Sequence, residues 1–544
     1  MQEKSPQQTS NDHRNQQQDN PLNSISQYFR CLNASDALAR YGLDTGAFTR
    51  RIAGAFVAQN IKAVELILQR ANQQGFKIWP ISGGMNFGYG TSMPVEEDNY
   101  ILDLSELKNI VYNPESQSVT IEPGVNQQDL ADFLDCHKLP YLVPTTGLGP
   151  NGSLIGNALD AGYGLTPVCD HFEALSDIEG VFGNGIAFSS HFRDIGCYAM
   201  AQSWSAGTGP SINSLLRQGN YAVIARATIR LARQPEASRI LIIQWPSENA
   251  FIHYQSEIST IMEDIPGIGG IISVNAHRGL STFPDAPLAN PLTGQARLDY
   301  LNTLAKQRKI APWTSLGTLY GSKQAVKGAV KDIRRRLPEA RVLAFTVSTI
   351  KKISSMVKWL PKSMLGDIHR QISTLEETIG FAEGRPTSSF LQMAYALDDK
   401  GHQMTRQSNP AKDGQGILWY APLVPMNKKY VKNYLKAMRD TLYQHGFDNL
   451  LALTARSSRV HCGTIPLLFK RDNPQAALRA KTCYRALVKL GISMGMPPYR
   501  IGAEYMTEIY PAKNTGFARS LHDIKTQLDP NEVIAPGRYL APFE

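Results

Sequence analysis

Cysteine is scarce in this chain. Six are spread over 544 residues, at 31, 136, 169, 197, 462 and 483, with no CxxC pair. That spacing argues against both a disulfide framework and a zinc site. None of the eleven histidines forms HExxH or a close ligand pair, so no metal is expected. No stretch offers the roughly 18 uninterrupted apolar residues that a membrane span needs. The N-terminus is rich in Gln, Asn and Asp and lacks the apolar core of a signal peptide. The last residues, APFE, are not a peroxisomal tripeptide. A reduced, cytoplasmic setting is the expectation. The formal net charge is +9, without a Lys/Arg block long enough for a nucleic-acid arm. The densest run, Arg334-Arg335-Arg336, reads as a solvated helix face. A mild basic bias suits an anionic cofactor or substrate.

What the chain does have is a soluble-protein balance, 42% hydrophobic and 19% charged. Its length suits two or three domains. The most informative stretch is WPISGGMNFGYG, Trp79 to Gly90. A strand from Lys77 to Ser82 breaks into a turn holding Gly83, Gly84, Gly88 and Gly90. Consecutive N–H groups in such a turn suit an anion, typically a pyrophosphate; a plain tight turn is the alternative. Before it, Ile52 to Phe56 reads as a strand. Asn60 to Gly75 reads as a helix with an Asn cap and a Gly stop, its apolar residues at helical spacing. After it come the strands NYILDL and SVTIEPG and an Asn-capped helix, NQQDLADFLDCHKL. This is an α+β domain, not the βαβ repeat of a doubly wound sheet. An Asn-Gly hairpin at 184–185 and a strand pair ending in YAVIARATIRLARQP come next. From about 240 to 490, helices alternate with the strands RILIIQW, PWTSLGTLYG, ARVLAFTV, GILWYAPLVP, NLLALTA and IPLLF. That reads as a second α+β domain, an antiparallel sheet covered by helices. The segment NAFIHYQSEISTIMEDI reads as one helix, 372–415 as loop-rich, and the tail from Tyr499 as helical.

Two motifs are misleading. Gly147, Gly149 and Gly152 form GxGxxG, but Pro150 lies inside it and glycines 156, 162 and 164 interrupt the segment after it, so it reads as a ligand loop. Gly491-Ile-Ser493-Met-Gly495 matches a nucleophile elbow, yet Pro497-Pro498 block the helix that an elbow needs next.

A series of ordered blocks carries more weight. Ile81-Ser82-Gly83-Gly84 with Gly88-Tyr89-Gly90, TIEPGV at 120–125, GSLIGNA at 152–158, TPVCDHF at 166–172, Trp204–Arg217, Ile417–Pro422, Pro498-Tyr499-Arg500 and PNEVIAPG at 530–537 together resemble the vanillyl-alcohol oxidase / p-cresol methylhydroxylase family of FAD-linked oxidases. The resemblance implies the two-domain fold of that family. After a polar N-terminus (1–24) whose composition reads as disordered, the chain would have an FAD-binding α+β domain (25–238), a substrate or cap domain (239–496) and a C-terminal segment (497–544) returning to the FAD domain. It implies FAD bound by Ser82, Gly83, Gly84, Met85, Asn86, Phe87, Gly88, Gly152, Ser153, Gly156, Asn157, Tyr163, Gly164, His171 and Arg538. His461 is the nearest candidate for a covalent tether. Counting from Thr454 the tethering slot falls on Cys462, and counting back from Phe469 it falls nearer Gly463, so covalent and non-covalent FAD both stand. Tyr89, Tyr499 and Arg500 would hold a phenolate, and Asp170 would be the carboxylate near the flavin. Taken singly, Tyr89 could be turn packing, Tyr499-Arg500 a surface pair, and Asp170 a loop residue or helix cap. The implied activity is oxidation of a 4-substituted phenol or hydroxybenzyl alcohol with O2 as acceptor. The alternatives are a dehydrogenase with a cytochrome-like acceptor, a tailoring oxidase with a larger or non-phenolic substrate, and a flavin-binding protein without turnover. A small aromatic substrate, no nucleic acid, no membrane and a homodimer or higher homo-oligomer complete the expectation.

Overall fold

The computed structural model describes residues 28–540 except 284, 359–375, 378, 403 and 509–514. The expected disordered segment 1–24 lies outside the described residues.

Three main sheets build the chain. The first has four strands in the order Phe29–Leu32, Ile52–Ala58, Asn99–Asp103, Ile78–Ile81. Ile52–Ala58 and Ile78–Ile81 both run parallel to Asn99–Asp103. The helix between them, Ile61–Gln74, starts where the Asn60 side chain accepts the Ala63 N–H and stops at Gly75, which is left-handed at φ 74°. Its face of Ala63, Val64, Ile67, Leu68 and Ala71 is buried. One βαβ crossover is therefore present here, without the repetition that a doubly wound sheet would need. Its mark is the almost wholly buried apolar run of Ile52–Ala58, as in parallel sheets covered on both faces. Far along the chain, Ile534 pairs with Ile78, so the C-terminal segment extends this sheet.

The second sheet is antiparallel: Ile110–Asn113, Ser118–Ile121, Ala222–Arg230, Leu175–Phe182, Ala187–Phe188. Its last hairpin turns at Asn184-Gly185, with Gly185 at φ 86°. The third sheet has eight strands, all paired antiparallel, in the order Arg341–Phe345, Ala237–Trp245, Trp313–Gly321, Ile271–Asn275, Ala452–Ala455, Val460–Lys470, Gln415–Pro425, Pro498–Arg500. The long helices Lys428–Gln444 and Pro474–Ser493 bury Val431, Tyr434, Leu435, Met438, Leu487 and Val488 in the core that holds Ile465 and Leu467 of this sheet.

Several local readings change. Ile110–Asn113 and Ile271–Asn275 are strands that the pattern did not reveal. The helix expected at 249–265 is two, Glu248–His253 and Gln255–Asp264, divided at Tyr254. Tyr499 lies in a short edge strand, not a helix; the tail becomes helical only at Gly516–Leu528, after a 3-10 turn at Ala503–Glu508. Ser493 ends a helix and donates to the Leu490 carbonyl, so it is no nucleophile elbow. Of the arginine run, Arg335 is exposed as expected, but Arg336 is held by Glu257 and Asp264. No described helix is long and apolar enough to cross a membrane.

Candidate active site

Where the strand Ile78–Ile81 ends, the backbone turns through Gly84 at φ 63°, Gly88 at φ 79° and Gly90 at φ 107°. Only glycine takes such angles without strain. The N–H groups of Gly83, Gly84 and Met85 find no acceptor among the described residues. A side chain on Gly83 would meet nothing nearer than 3.9 Å, so this nest faces open space. Opposite it stands the short helix Leu154–Leu159, capped by the Ser153 hydroxyl, which accepts the Gly156 N–H at 3.0 Å. A Cβ on Gly156 would come within 2.2 Å of Ser82 Oγ; glycine is what lets the helix approach the loop. Between them lies a cleft whose empty space, counted out to its open mouth, is about 1250 Å³. Ser82–Asn86, Tyr89, Ser153, Gly156, Asn157, Asp160, Tyr221–Ile224, Arg500, Ala535 and Arg538 line it.

Asp160 closes one part of this wall. It sits at the C-terminal end of its helix, where the helix dipole disfavours an anion. Two arginines compensate. Arg500 Nη2 donates to Asp160 Oδ2 at 2.6 Å and to Asn86 Oδ1 at 2.5 Å, and Arg538 Nη2 donates to Asp160 Oδ1 at 2.6 Å. Burial pushes the Asp160 carboxyl up, but Arg500 and Arg538 outweigh it and hold it below its ordinary value. Arg500 Nε is buried and unpartnered.

Asp170 forms a second, separate node. It pairs across a loop with Tyr163. Its Oδ1 accepts the N–H groups of Phe172 at 3.0 Å and Glu173 at 3.3 Å. Its Oδ2 is held by Arg217 Nη2 at 3.0 Å and by Arg456 Nη2. Burial raises its pKa, and Arg456 and Arg217 more than reverse the shift. Around this node stand three tyrosines. Tyr163 and Tyr499 have ring centroids 6.1 Å apart, Arg456 lies 5.3 Å over Tyr163 and 5.9 Å over Tyr499, and Arg500 lies 4.4 Å over Tyr89. Burial pushes the phenols of Tyr89, Tyr163 and Tyr499 well above their ordinary value, so they are neutral donors. The hydroxyls of Tyr89 and Tyr499 make no hydrogen bond to a described residue.

Of the residues singled out from sequence, Ser82, Gly83, Gly84, Met85, Asn86, Tyr89, Ser153, Gly156, Asn157, Arg500 and Arg538 share the cavity wall, and Tyr163, Asp170 and Tyr499 gather beside it. The others stand behind it. Phe87 is buried, Gly88 packs on Trp419, the Gly152 carbonyl accepts the Gln127 N–H, and Gly164 abuts the His171 ring. His171 is buried; its Nδ1 donates to Asn157 Oδ1 at 2.8 Å, and burial lowers its pKa to about 4. It supports the wall from behind, as a neutral ring. His461 does not join the site. Its Nε2 bonds Gln255 Oε1 at 2.6 Å, on the opposite face of Val460–Lys470 from Cys462. Cys462 shares the electrostatic surroundings of Tyr89, Tyr163, Tyr499 and Arg456. Asp160, Arg217 and Arg456 escaped the sequence reading as site residues. Asp160 follows the GSLIGNA block after Leu159, Arg217 is the last residue of the Trp204–Arg217 block, and Arg456 stands between Thr454 and His461; a charge in or beside each stretch was the only signal available.

Residues 52–186 match the FAD binding domain family model FAD_binding_4. The chain is 25% identical to the 1'-carboxy-chondrochloren decarboxylase of Chondromyces crocatus over 523 residues, 93% of this chain and 94% of the relative. Its fold is similar to that of the 4-ethylphenol oxidase of Gulosibacter chungangensis, solved with isoeugenol, at TM-score 0.82 and 19% identity over 95% of both chains. It is equally similar to p-cresol methylhydroxylase with substrate bound, at TM-score 0.81 and 21% identity over 94% of both chains. The cavity fits FAD on its own terms: free N–H groups for a pyrophosphate, an arginine on its wall, and glycines where a Cβ would fill the cradle.

Proposed function

We propose that the chain is an FAD-dependent oxidoreductase of the vanillyl-alcohol oxidase / p-cresol methylhydroxylase family and that it takes a hydride from the para-benzylic carbon of a 4-substituted phenol or hydroxybenzyl alcohol. One observation carries this reading: two unpartnered tyrosine hydroxyls, Tyr89 and Tyr499, each beside a guanidinium, Arg500 and Arg456. Two neutral donors and two fixed cations favour the phenolate form of a bound phenol, and its charge drives electron density toward the para carbon. Bound FAD supplies the hydride acceptor. Gly83–Met85, Ser153 and Arg538 would hold it. Asp170 is ionised at neutral pH but already shared between two arginines and two N–H groups, so it is a weak base. Its part in this reading is to position Arg456.

The flavin is non-covalent in this reading. His461 is turned away, and burial keeps the Cys462 thiol protonated at neutral pH. Acid precipitation that leaves the flavin in the supernatant is the expected result. Electrons pass on to O2, giving hydrogen peroxide. Reduced enzyme that reoxidises in air within the turnover time assigns O2; one that needs an added acceptor is a dehydrogenase. A second reading, favoured by the full-length likeness to a decarboxylase, places the same hydride removal on a larger natural-product phenol; release of CO2 on turnover would select it.

The test is an anaerobic absorbance scan of purified holoenzyme mixed in turn with 4-ethylphenol, 4-hydroxybenzyl alcohol and benzyl alcohol. Bleaching of the flavin band by the two phenols alone is expected. A flavin that none of them reduces overturns the reading.

A further inference from the structure

Arg217, Arg456, Arg500 and Arg538 are all matched to Asp160 or Asp170. One more arginine stands close by without such a partner. The strand Ile271–Asn275 ends where the Asn275 side chain accepts the Arg278 N–H at 2.9 Å and opens the helical turn Ala276–Leu280. The neighbouring His277 bonds Asn302 at 3.0 Å. The Arg278 guanidinium lies instead 5.3 Å over the Trp419 ring. Trp419 leads straight to the site. Its backbone N–H donates to the Gly88 carbonyl at 3.2 Å, and its indole fills the space where a Gly88 Cβ would be, next to Tyr89.

Arg278 Nη1 is out of solvent contact and has no hydrogen-bond partner. No described carboxylate pairs with this side chain. The side chain is partly buried, and that burial is uncompensated: desolvation lowers its pKa to about 9, and Tyr163 is the ionisable group that pushes back. A guanidinium stays protonated, and a cation withdrawn from water without a counter-ion is costly. The Trp419 face offsets part of that cost, leaving a cation that an arriving anion would satisfy. A carboxylate matches the planar fork of a guanidinium with two parallel hydrogen bonds, and it is the anion a small phenolic acid carries.

We propose that the substrate is a phenol bearing a carboxylate, and that Arg278 receives that carboxylate while Tyr89 and Tyr499 hold the phenolic oxygen. The proposal deepens the phenol-oxidation reading and rests on it for the phenol half. It makes Arg278 a specificity-determining residue. A neutral alkylphenol leaves the partly buried cation unpaired, and a carboxylate satisfies it.

The experiment separates binding from turnover. Binding is read from the flavin difference spectrum of holoenzyme with 4-hydroxybenzoate or 4-hydroxybenzamide, neither of which has a benzylic hydrogen to lose. Turnover is read from anaerobic flavin reduction by 3-(4-hydroxyphenyl)propanoate or 4-propylphenol. Wild type should bind the acid at least about tenfold tighter than the amide and be reduced faster by the propanoate at low concentration. Arg278→Met should abolish both preferences, and Arg278→Lys should keep part of them. Without ligand, Arg278→Met should also melt a few degrees higher, because it removes an unpaired, partly buried charge. A variant that keeps the wild-type preference, or a wild type that binds the amide as well as the acid, overturns the assignment. The two readings can fail separately. Reduction by 4-propylphenol with no preference for acids sinks Arg278 alone. Arg278-dependent binding of 4-hydroxybenzoate without reduction by either phenol sinks phenol oxidation and leaves the anion site standing.

Discussion

Asp160 and Asp170 lie ten residues apart, and each is gripped by two arginines, yet they join different parts of the molecule. Asp160 holds Arg500 and Arg538, which come from the edge strand Pro498–Arg500 and the C-terminal tail, so it staples the end of the chain to the cavity wall. It accepts no backbone N–H group, and its side chain is 8% exposed. Asp170 holds Arg217 and Arg456, accepts two N–H groups from its own turn, and is 15% exposed. The Asp160 clamp fixes the tail against the cavity wall and also holds Arg500 over Tyr89, whereas the Asp170 clamp holds Arg456 over Tyr163 and Tyr499 and reaches no tail segment. What decides is which distant segments the arginines belong to.

The largest expected effect breaks this pair apart. Asp160→Asn keeps the shape but leaves Arg500 and Arg538 without a counter-charge in a buried wall. It should cost roughly 3–5 kcal/mol of stability and yield protein largely stripped of FAD, measured by denaturant titration and by the flavin-to-protein absorbance ratio. If Asp170→Asn costs as much and strips as much flavin, the two clamps do not divide their labour in this way.

A second test uses the residue between the two nodes. His171 is next to Asp170 in the chain and donates to Asn157 on the Asp160 side. Folded, it titrates near 4; unfolded, near 6.5. Between those values the unfolded chain binds the extra proton, so stability falls as pH drops from about 6.5 to 4. The loss is at most about 3 kcal/mol at roughly 1.4 kcal/mol per pH unit. His461, also pushed to about 4 by burial, should contribute a second step of the same sign. His171→Gln should therefore reduce the slope in stability measured between pH 7 and 4.5, leaving the shares of His461 and of His277, whose pKa burial also lowers. A slope unchanged by the substitution would mean that His171 is charged in the fold. The two aspartates should not contribute above pH 5, because their lowered pKa values keep them ionised there; their stabilisation is lost only as pH falls below about 4.

How much of this was readable beforehand differs from residue to residue. The helix Ile61–Gln74 could be read because its cap, its stop and its apolar spacing all lie within sixteen residues. The glycine loop could be read because the backbone itself does the work. The pairing of Asp170 with Arg456 spans 286 residues and that of Asp160 with Arg538 spans 378. No local pattern encodes either, since an isolated arginine looks alike in a surface loop and in a buried clamp. The tail from Tyr499 reads as helical from its sequence, and its first residues are not, for a physical reason. Proline stops a helix, but it is also tolerated in an edge strand, and that is where Tyr499 and Arg500 lie. The tether question turned on register. A one-residue shift exchanges the faces of a strand, which separates His461, bonded under the helices to Gln255, from Cys462, which faces the tyrosines.

Asp170→Asn sharpens the comparison from its other side. Asparagine can still accept the N–H groups of Phe172 and Glu173, so the turn should persist and stability should fall by about 1–3 kcal/mol, the worth of a charge-assisted hydrogen bond. The larger change should be kinetic. Arg456 loses its anchor, and anaerobic flavin reduction by 4-ethylphenol should slow by about 10- to 100-fold while FAD stays bound. Reduction at the wild-type rate would leave Asp170 a structural turn residue only.

The smallest effect belongs to Arg217. Its side chain is 31% exposed, against 14% for Arg456 on the same carboxylate. Solvent screens its share of the pair, and Arg456 remains to neutralise Asp170 when it is gone. Arg217→Met should therefore cost no more than about 1 kcal/mol and leave FAD content intact. Arg217 also lies 5.6 Å over the Phe172 ring, and methionine keeps an apolar stem there. The matching substitution at the other node, Arg538→Met, removes a cation that is 18% exposed from a carboxylate that is 8% exposed and from the cavity wall itself. It should cost more stability than Arg217→Met and lower the flavin-to-protein ratio as well. Equal melting temperatures and equal flavin content for the two variants would show that burial does not separate the clamps, and the distinction between Asp160 and Asp170 would then rest only on which tyrosines their arginines cover.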